Sequence, residues 1–189
     1  SEHAVMVVGG GCQQASLAIT QLAELLNVGV IASNAGKGVV SDGNPLSLGG
    51  GIISPAVQDY LSEADVVLAI GTELGEADSF IYNLPVNGKV IRIDIDSARF
   101  NDAFPADIAV RGDARIACTQ LIEALDGLKI ETASSDTIAV LEKVRARQFA
   151  DYTSVERQHL KVLELLREEV PDDGIIMGDI AQLVYTGTA

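Results

Sequence analysis

Three short apolar runs between Asp65 and Asp113 restrict the fold of this chain more than any other feature. Asp65-Val-Val-Leu-Ala-Ile-Gly71 stops at a glycine, Lys89-Val-Ile-Arg-Ile-Asp-Ile-Asp96 stops at two carboxylates, and Ala106-Asp-Ile-Ala-Val-Arg-Gly-Asp113 stops at Gly-Asp. Near-continuous β-branched runs of this length are the pattern of strands buried on both faces. In open α/β sheets, ligands sit in the crevice beyond the carboxyl ends of such strands. The runs therefore predict a parallel sheet with Gly71, Asp94, Asp96 and Asp113 along one rim, and they point to a binding site there.

The rest of the chain alternates in the same way. Ala4-Val-Met-Val-Val8 reads as a first strand running into Gly9-Gly10-Gly11, and residues 12–27 carry a helical stripe of Ala15, Ile19, Leu22 and Leu26. Val28–Ser33 reads as a second strand. Residues 34–53, with their many glycines, form a loop long enough to suggest a functional role. Pro55 suits the first turn of a short helix ending near Ala64, with Ser54 as its N-cap. A helix with Ile116, Leu121, Ile122 and Leu125 as apolar positions follows Asp113, which can cap it. Strands alternating with helices imply an α/β fold with a doubly wound parallel sheet in three αβα layers.

Beyond Leu125 the texture changes. Residues 1–126 form one Rossmann-like domain, 127–136 read as a linker, and 137–189 as the truncated start of another domain. In this last stretch, residues 137–150 and 154–169 read as charged helices. Pro171-Asp-Asp-Gly174 then turns the chain into Ile175-Ile-Met-Gly-Asp179, expected as another buried strand ending in an acid.

Composition excludes several functions. Thirteen Lys and Arg against 27 Asp and Glu give a net charge of −14, which repels nucleic-acid phosphates and anionic membrane surfaces. The apolar runs are far short of the ~20 residues a bilayer-spanning helix needs, and no secretory signal pattern is seen. Cys12 and Cys118 lie in no C-x-x-C pattern and read as small buried hydrophobes in a reducing, cytoplasmic setting. His3 and His159 have no spaced partners for zinc or a catalytic triad and read as surface residues. The cysteines and histidines thus suggest no metal site.

The triglycine Gly9-Gly10-Gly11, at a strand end before a helix, would let backbone N–H groups approach a phosphate. A tight βα turn explains it equally well. Gln14 occupies the third glycine position of the dinucleotide fingerprint, and Ser33-Asn34 supplies no acid for a ribose. Asp94 and Asp96 alternate on a strand and share a face. They would bind ribose hydroxyls or a cation, or else Asp96 caps the next segment while Asp94 satisfies turn donors. Glu73 and Glu76 would repel a pyrophosphate nearby.

Taken in order, Val7-Val-Gly-Gly-Gly11, Asn34-Ala-Gly-Lys-Gly38, Ala64–Gly71, Ile91–Asp96 and Ala106–Asp113 resemble the central domain of thiamine-diphosphate-dependent enzymes of the acetolactate synthase / 2-oxo-acid decarboxylase family. The tail from Leu163 to Asp179, with Gln182 and Tyr185, resembles the opening of that family's diphosphate-binding domain. The resemblance implies a parent lyase or transferase that uses thiamine diphosphate and Mg2+ on a 2-oxo acid, as a homodimer or homotetramer. The cofactor site would lie outside this chain, leaving it catalytically silent. In some relatives the central domain binds FAD or ADP. By that likeness Gly9, Gly10, Gly11, Asn34, Gly71, Asp94, Asp96, Gly112 and Asp113 would surround such a nucleotide. Two departures weigh against FAD: Glu73 stands where FAD-binding relatives carry arginine, and Gly49-Gly50-Gly51 replaces a histidine-containing segment. An FAD domain of the electron-transfer flavoprotein type and a structural module with an empty nucleotide cleft are the alternatives.

Overall fold

A computed structural model describes residues 1–128, 136–171 and 173–188. Five strands, β1 (Ala4–Val8), β2 (Gly29–Ala32), β3 (Val66–Ile70), β4 (Lys89–Asp94) and β5 (Ile108–Arg111), form one parallel sheet in the order β2-β1-β3-β4-β5. The register places Val8 beside Ala32 and Ile70, Ile70 beside Ile93, and Ile93 beside Val110, so all five strands end on one rim. The order reverses between β1 and β3, which makes the gap beyond their ends the topological switch point.

The helices are α1 (Ser16–Leu26), α2 (Pro55–Ser62), α3 (Glu76–Ser79), α4 (Ala114–Leu125), α5 (Thr137–Asp151), α6 (Ser154–Glu169) and α7 (Gln182–Thr188). The right-handed crossovers β1–α1–β2 and β2–α2–β3 run in opposite directions across the sheet and so put α1 and α2 on opposite faces. Accordingly α1 packs with α4, and α2 with α5. Val5, Met6, Val7 and Val8 of β1 are fully buried between these layers, with Ile19 and Leu22 of α1 on one side and Val57 and Leu61 of α2 on the other. The all-parallel sheet with helices on both faces agrees with the doubly wound reading.

Local boundaries follow capping chemistry. The triglycine enters a 3-10 turn (Gly10–Cys12), and α1 begins only at Ser16, later than the periodicity suggests. Pro55 opens α2 as expected, but the Ser54 hydroxyl makes no capping bond. Asp113 does cap α4, accepting from the Arg115 and Ile116 amides at 3.0 and 3.2 Å. Thr153 and Glu156 close a reciprocal capping box on α6.

The glycine-rich loop of residues 34–53 is packed. Its backbone runs beside β2: the Val30 amide donates to Leu46 O, Leu48 N donates to Val30 O, and Ala32 N donates to Gly49 O, each at 2.8 Å. Val39, Val40, Leu46 and Leu48 are buried, so the loop covers the outer edge of the sheet.

Helix α5 is seated on this body as well. Leu141 is fully buried against Gly29 and Arg145 donates to the carbonyls of Pro45 and Ser47. Arg147 pairs with Asp59 at 2.6 Å. Of the expected linker, residues 129–135 lie outside the described residues.

One expected element is corrected. Residues 175–179 form no strand but an irregular segment, with Ile175 at 87% and Met177 at 89% exposure. A strand exists only against a neighbour that accepts its hydrogen bonds, and no described strand pairs with this one. The two histidines are also half-buried rather than on the surface. His3 stacks edge-on to Tyr60 with its Nδ1 3.0 Å from Glu63 O, and His159 Nδ1 lies 2.9 Å from Thr186 Oγ1.

Candidate functional site

At the switch-point rim lies a cleft of about 330 Å3 lined by Gly11, Gly71, Thr72, Glu73, Asp94, Asp96, Arg99, Gly112 and Asp113, among others. The structure therefore brings together six of the nine residues singled out from sequence: Gly11, Gly71, Asp94, Asp96, Gly112 and Asp113. Gly9 and Gly10 sit just behind, and Asn34, on the turn that packs against Gly10 through Ala35, does not line the cleft. The Asn34 amide donates to Asp78 Oδ1 at 3.1 Å, and its side chain donates to Ala77 O at 3.4 Å. Burial raises the Asp78 pKa above the ordinary value, against that bond.

The glycines are explained by close approach of backbones. A Cβ on Gly9 would run into the Gly71 carbonyl and Thr72, and one on Gly11 would come within 2.9 Å of Gly71 Cα. Gly71 itself has φ +54, a conformation that favours glycine. Most of the amides here are committed within the protein. Gly9 N donates to Ile70 O at 3.0 Å, Gly11 N to Gly71 O at 3.1 Å, and Cys12 N to Gly9 O at 3.0 Å. Gly71 N and Gly112 N complete the same lattice through Ile93 O and Asp94 O. The triglycine thus works as a tight βα joint, with few N–H groups left to face a phosphate.

The acids of the rim are similarly engaged. Asp94 Oδ1 accepts from the Asp96 amide at 2.8 Å, and Asp96 Oδ1 accepts from Ala98 N at 3.0 Å, capping the 3-10 turn of residues 97–101. Arg99, on that turn, reaches Asp102 at 2.9 Å, Glu73 at 3.5 Å and Asp96 at 3.6 Å. Its pKa is pushed up, first by the bond to Asp102 and then by Glu73. The one guanidinium at the mouth is thus already surrounded by three carboxylates. Glu76 stands outside the cleft, at the start of α3.

Beneath the rim, Arg92 of β4 is 1% exposed and donates to three carbonyls: Phe104 O at 3.0 Å, Thr72 O at 3.2 Å and Glu73 O at 3.4 Å. Burial pulls its pKa down. Sequence reading passed over Arg92 and Arg99. The available signal for Arg92 was a charge inside an otherwise apolar strand, which must find partners when buried.

The cleft contains no nucleophile paired with a base. Cys12, behind it, donates its thiol to Ile70 O at 3.0 Å, and burial pushes its pKa up to about 12. Burial likewise takes Cys118 to about 11. Both are buried and unreactive, as the sequence suggested. Among the described residues no group of three or more His, Cys, Asp or Glu could hold a metal ion, and no helix is long and apolar enough to cross a membrane.

Comparison with known proteins adds an independent line. Residues 1–121 match the family model described as thiamine pyrophosphate enzyme, central domain. A probable 2-ketoarginine decarboxylase of Pseudomonas aeruginosa is 35% identical over 185 residues, covering 97% of this chain and 32% of that protein. A probable acetolactate synthase large subunit of Methanococcus aeolicus is 33% identical over 131 residues, covering 67% of this chain and 22% of that protein. A 3D-(3,5/4)-trihydroxycyclohexane-1,2-dione hydrolase of Clostridium perfringens is 21% identical, covering 95% of this chain and 33% of that protein. The chain thus spans a third or less of the length of these relatives.

Proposed function

The chain belongs to the thiamine pyrophosphate enzyme family, and we propose that it is the central portion of a thiamine-diphosphate-dependent 2-oxo-acid decarboxylase or carboligase. In this reading residues 1–126 form the central domain, and the segment from 137 onward opens the diphosphate-binding domain. The likeness to the 2-ketoarginine decarboxylase supports it most directly, because that likeness runs through 97% of the chain, beyond the central-domain match at residue 121. It favours decarboxylation of a 2-oxo acid over the carboligation of the acetolactate synthases, whose likeness covers about two thirds of the chain.

The chain's residues do not fit a complete cofactor site. The approach to α7 exposes Asp173 and Asp179, and among the described residues no group of three or more His, Cys, Asp or Glu could hold a metal ion. In the proposal, thiamine diphosphate and its Mg2+ bind to residues outside this chain, which contributes architecture and no catalytic residue. FAD does not fit the rim either. The amides that would approach its diphosphate are mostly bonded within the protein, Glu73 faces the cleft, and Arg99 is neutralised. We assign the central domain a structural role, in a parent that is a homodimer or homotetramer.

The test is a carbon dioxide release assay. The full-length protein, supplied with thiamine diphosphate and Mg2+, should release carbon dioxide from a 2-oxo acid, and the 189-residue chain should release none. A full-length protein inactive on a panel of 2-oxo acids, or a chain active alone, would overturn the proposal.

A further inference from the structure

Of the asparagines in the chain, only Asn87 stands before a glycine. The pair Asn87-Gly88 ends the crossover that leads from β3 into β4, and the fold makes use of both members. A Cβ on residue 88 would run into the backbone of Ala64 and Asp65. At that point Lys89 N donates to Asp65 O at 3.0 Å and opens the pairing of β4 with β3. Only glycine fits so close a crossing. Asn87 ties the same corner to the end of α2, donating from Nδ2 to Ser62 O at 3.0 Å.

The packing that demands glycine also leaves the pair chemically open. Asn87 is exposed, and Gly88 N makes no hydrogen bond among the described residues. That nitrogen is therefore not held away from its neighbour's side chain by any acceptor. With no Cβ on residue 88, nothing on that residue obstructs its approach to Asn87 Cγ. The restraint that remains is the bond to Ser62 O, an exposed hydrogen bond of modest net strength.

We propose that Asn87-Gly88 is a site of spontaneous modification, at which the asparagine loses its side-chain nitrogen as ammonia. Gly88 N gives its proton to hydroxide and bonds to Asn87 Cγ. The Cγ–Nδ2 bond breaks, and the leaving nitrogen takes a proton from water. The cyclic imide so formed takes up one water. Addition at Cγ yields aspartate, and addition at the main-chain carbonyl carbon yields isoaspartate, whose main chain runs through Cβ and Cγ. Either product sets a carboxylate against Ser62 O where a donor stood, and isoaspartate also lengthens the main chain just ahead of Lys89. The modification thus loosens the entry of β4. It needs only water, so it is independent of thiamine diphosphate and of the assignment above.

The experiment is ageing of the 189-residue chain in mildly alkaline buffer, folded and in guanidinium chloride, with peptide mapping and enzymatic methylation of isoaspartate. Aspartate and isoaspartate should accumulate at residue 87 faster than at any other asparagine. The folded chain should react no more than about tenfold more slowly than the unfolded one, the factor that the Ser62 bond can withhold. Asn87→Gln, which would have to close a larger ring, should stay unmodified there. The modified fraction should unfold at a lower midpoint than fresh protein. Asn87→Asp, which carries the carboxylate without the longer main chain, should fall between them. A folded rate below the tenfold limit, isoaspartate undiminished in Asn87→Gln, or a midpoint unchanged by the modification would overturn the proposal.

Discussion

Arg92 holds the rim of the strand-end cleft from below. Its strand neighbours Val90 and Ile93 belong to the core, and a guanidinium is tolerated there because its fork meets three carbonyls. Removing it leaves those carbonyls without donors. Arg92→Ala should therefore destabilise the protein by about 2–4 kcal/mol. Lysine should recover little, because a single ammonium cannot reproduce the planar fork. Urea unfolding checks both variants, and a loss below about 0.5 kcal/mol for Arg92→Ala would remove the fork from the account.

Asp65 is the acid-sensitive counterpart at the opposite strand end. Its carboxylate accepts from the Glu2 amide at 2.6 Å, Ser1 Oγ at 2.9 Å and the His3 amide at 3.1 Å. Led by the Glu2 bond, these lower its pKa from 3.8 to about 2. A carboxylate lowered by folding stabilises the fold fully above its unfolded pKa and loses that contribution as pH falls through the folded one. The gap in unfolding midpoint between wild type and Asp65→Asn should be full above pH 3.8 and close as pH approaches about 2. A gap independent of pH would show that the hydrogen bonds do not depend on the charge.

At the scale of elements, legibility followed the range of the interactions. All five central strands were readable because each is a continuous apolar run, and Asp113 was readable as a cap because capping is local. Gly11, Gly71, Asp94, Asp96, Gly112 and Asp113 could be grouped because parallel strands deliver their ends to one side. The amide of Asn34 is tied to Asp78, a partner distant in the chain that a position at a strand end does not reveal. The loop of residues 34–53 hid its packing because it lies along β2 through backbone bonds that carry no side-chain signature. Residues 175–179 misled because a strand pattern is satisfied only by a neighbour.

Helix α5 is the clearest long-range joint. Its low amphipathic contrast disguised Leu141, which is fully buried beside Gly29, while Thr137 donates to Asn27 O at 3.0 Å. Leu141→Ala should cost about 2–5 kcal/mol and speed amide exchange along α5 before it affects β1. Exchange rising equally in both would mean that α5 and the sheet open as one unit.

For the whole molecule, the question is whether the strand-end cleft accepts a nucleotide. A net charge of −14 opposes any polyphosphate, and long-range repulsion of this kind weakens with salt. The local obstacle is of a different nature. Gly9, Gly11 and Cys12 direct their amides to carbonyls, and that commitment does not change with ionic strength. The two obstacles can be separated. FAD or ADP at millimolar concentration should leave the unfolding midpoint unchanged at both low and high salt. A ligand at 100 times its dissociation constant would instead add about 2.7 kcal/mol. Glu73→Arg removes a facing carboxylate and supplies a cation beside Arg99, so if charge alone closes the cleft this variant should gain ADP binding. We expect no gain, because a diphosphate also needs backbone donors and the joint between β1 and β3 holds them. ADP-dependent stabilisation of Glu73→Arg would show that charge is the whole barrier and that the triglycine amides are available when a diphosphate arrives.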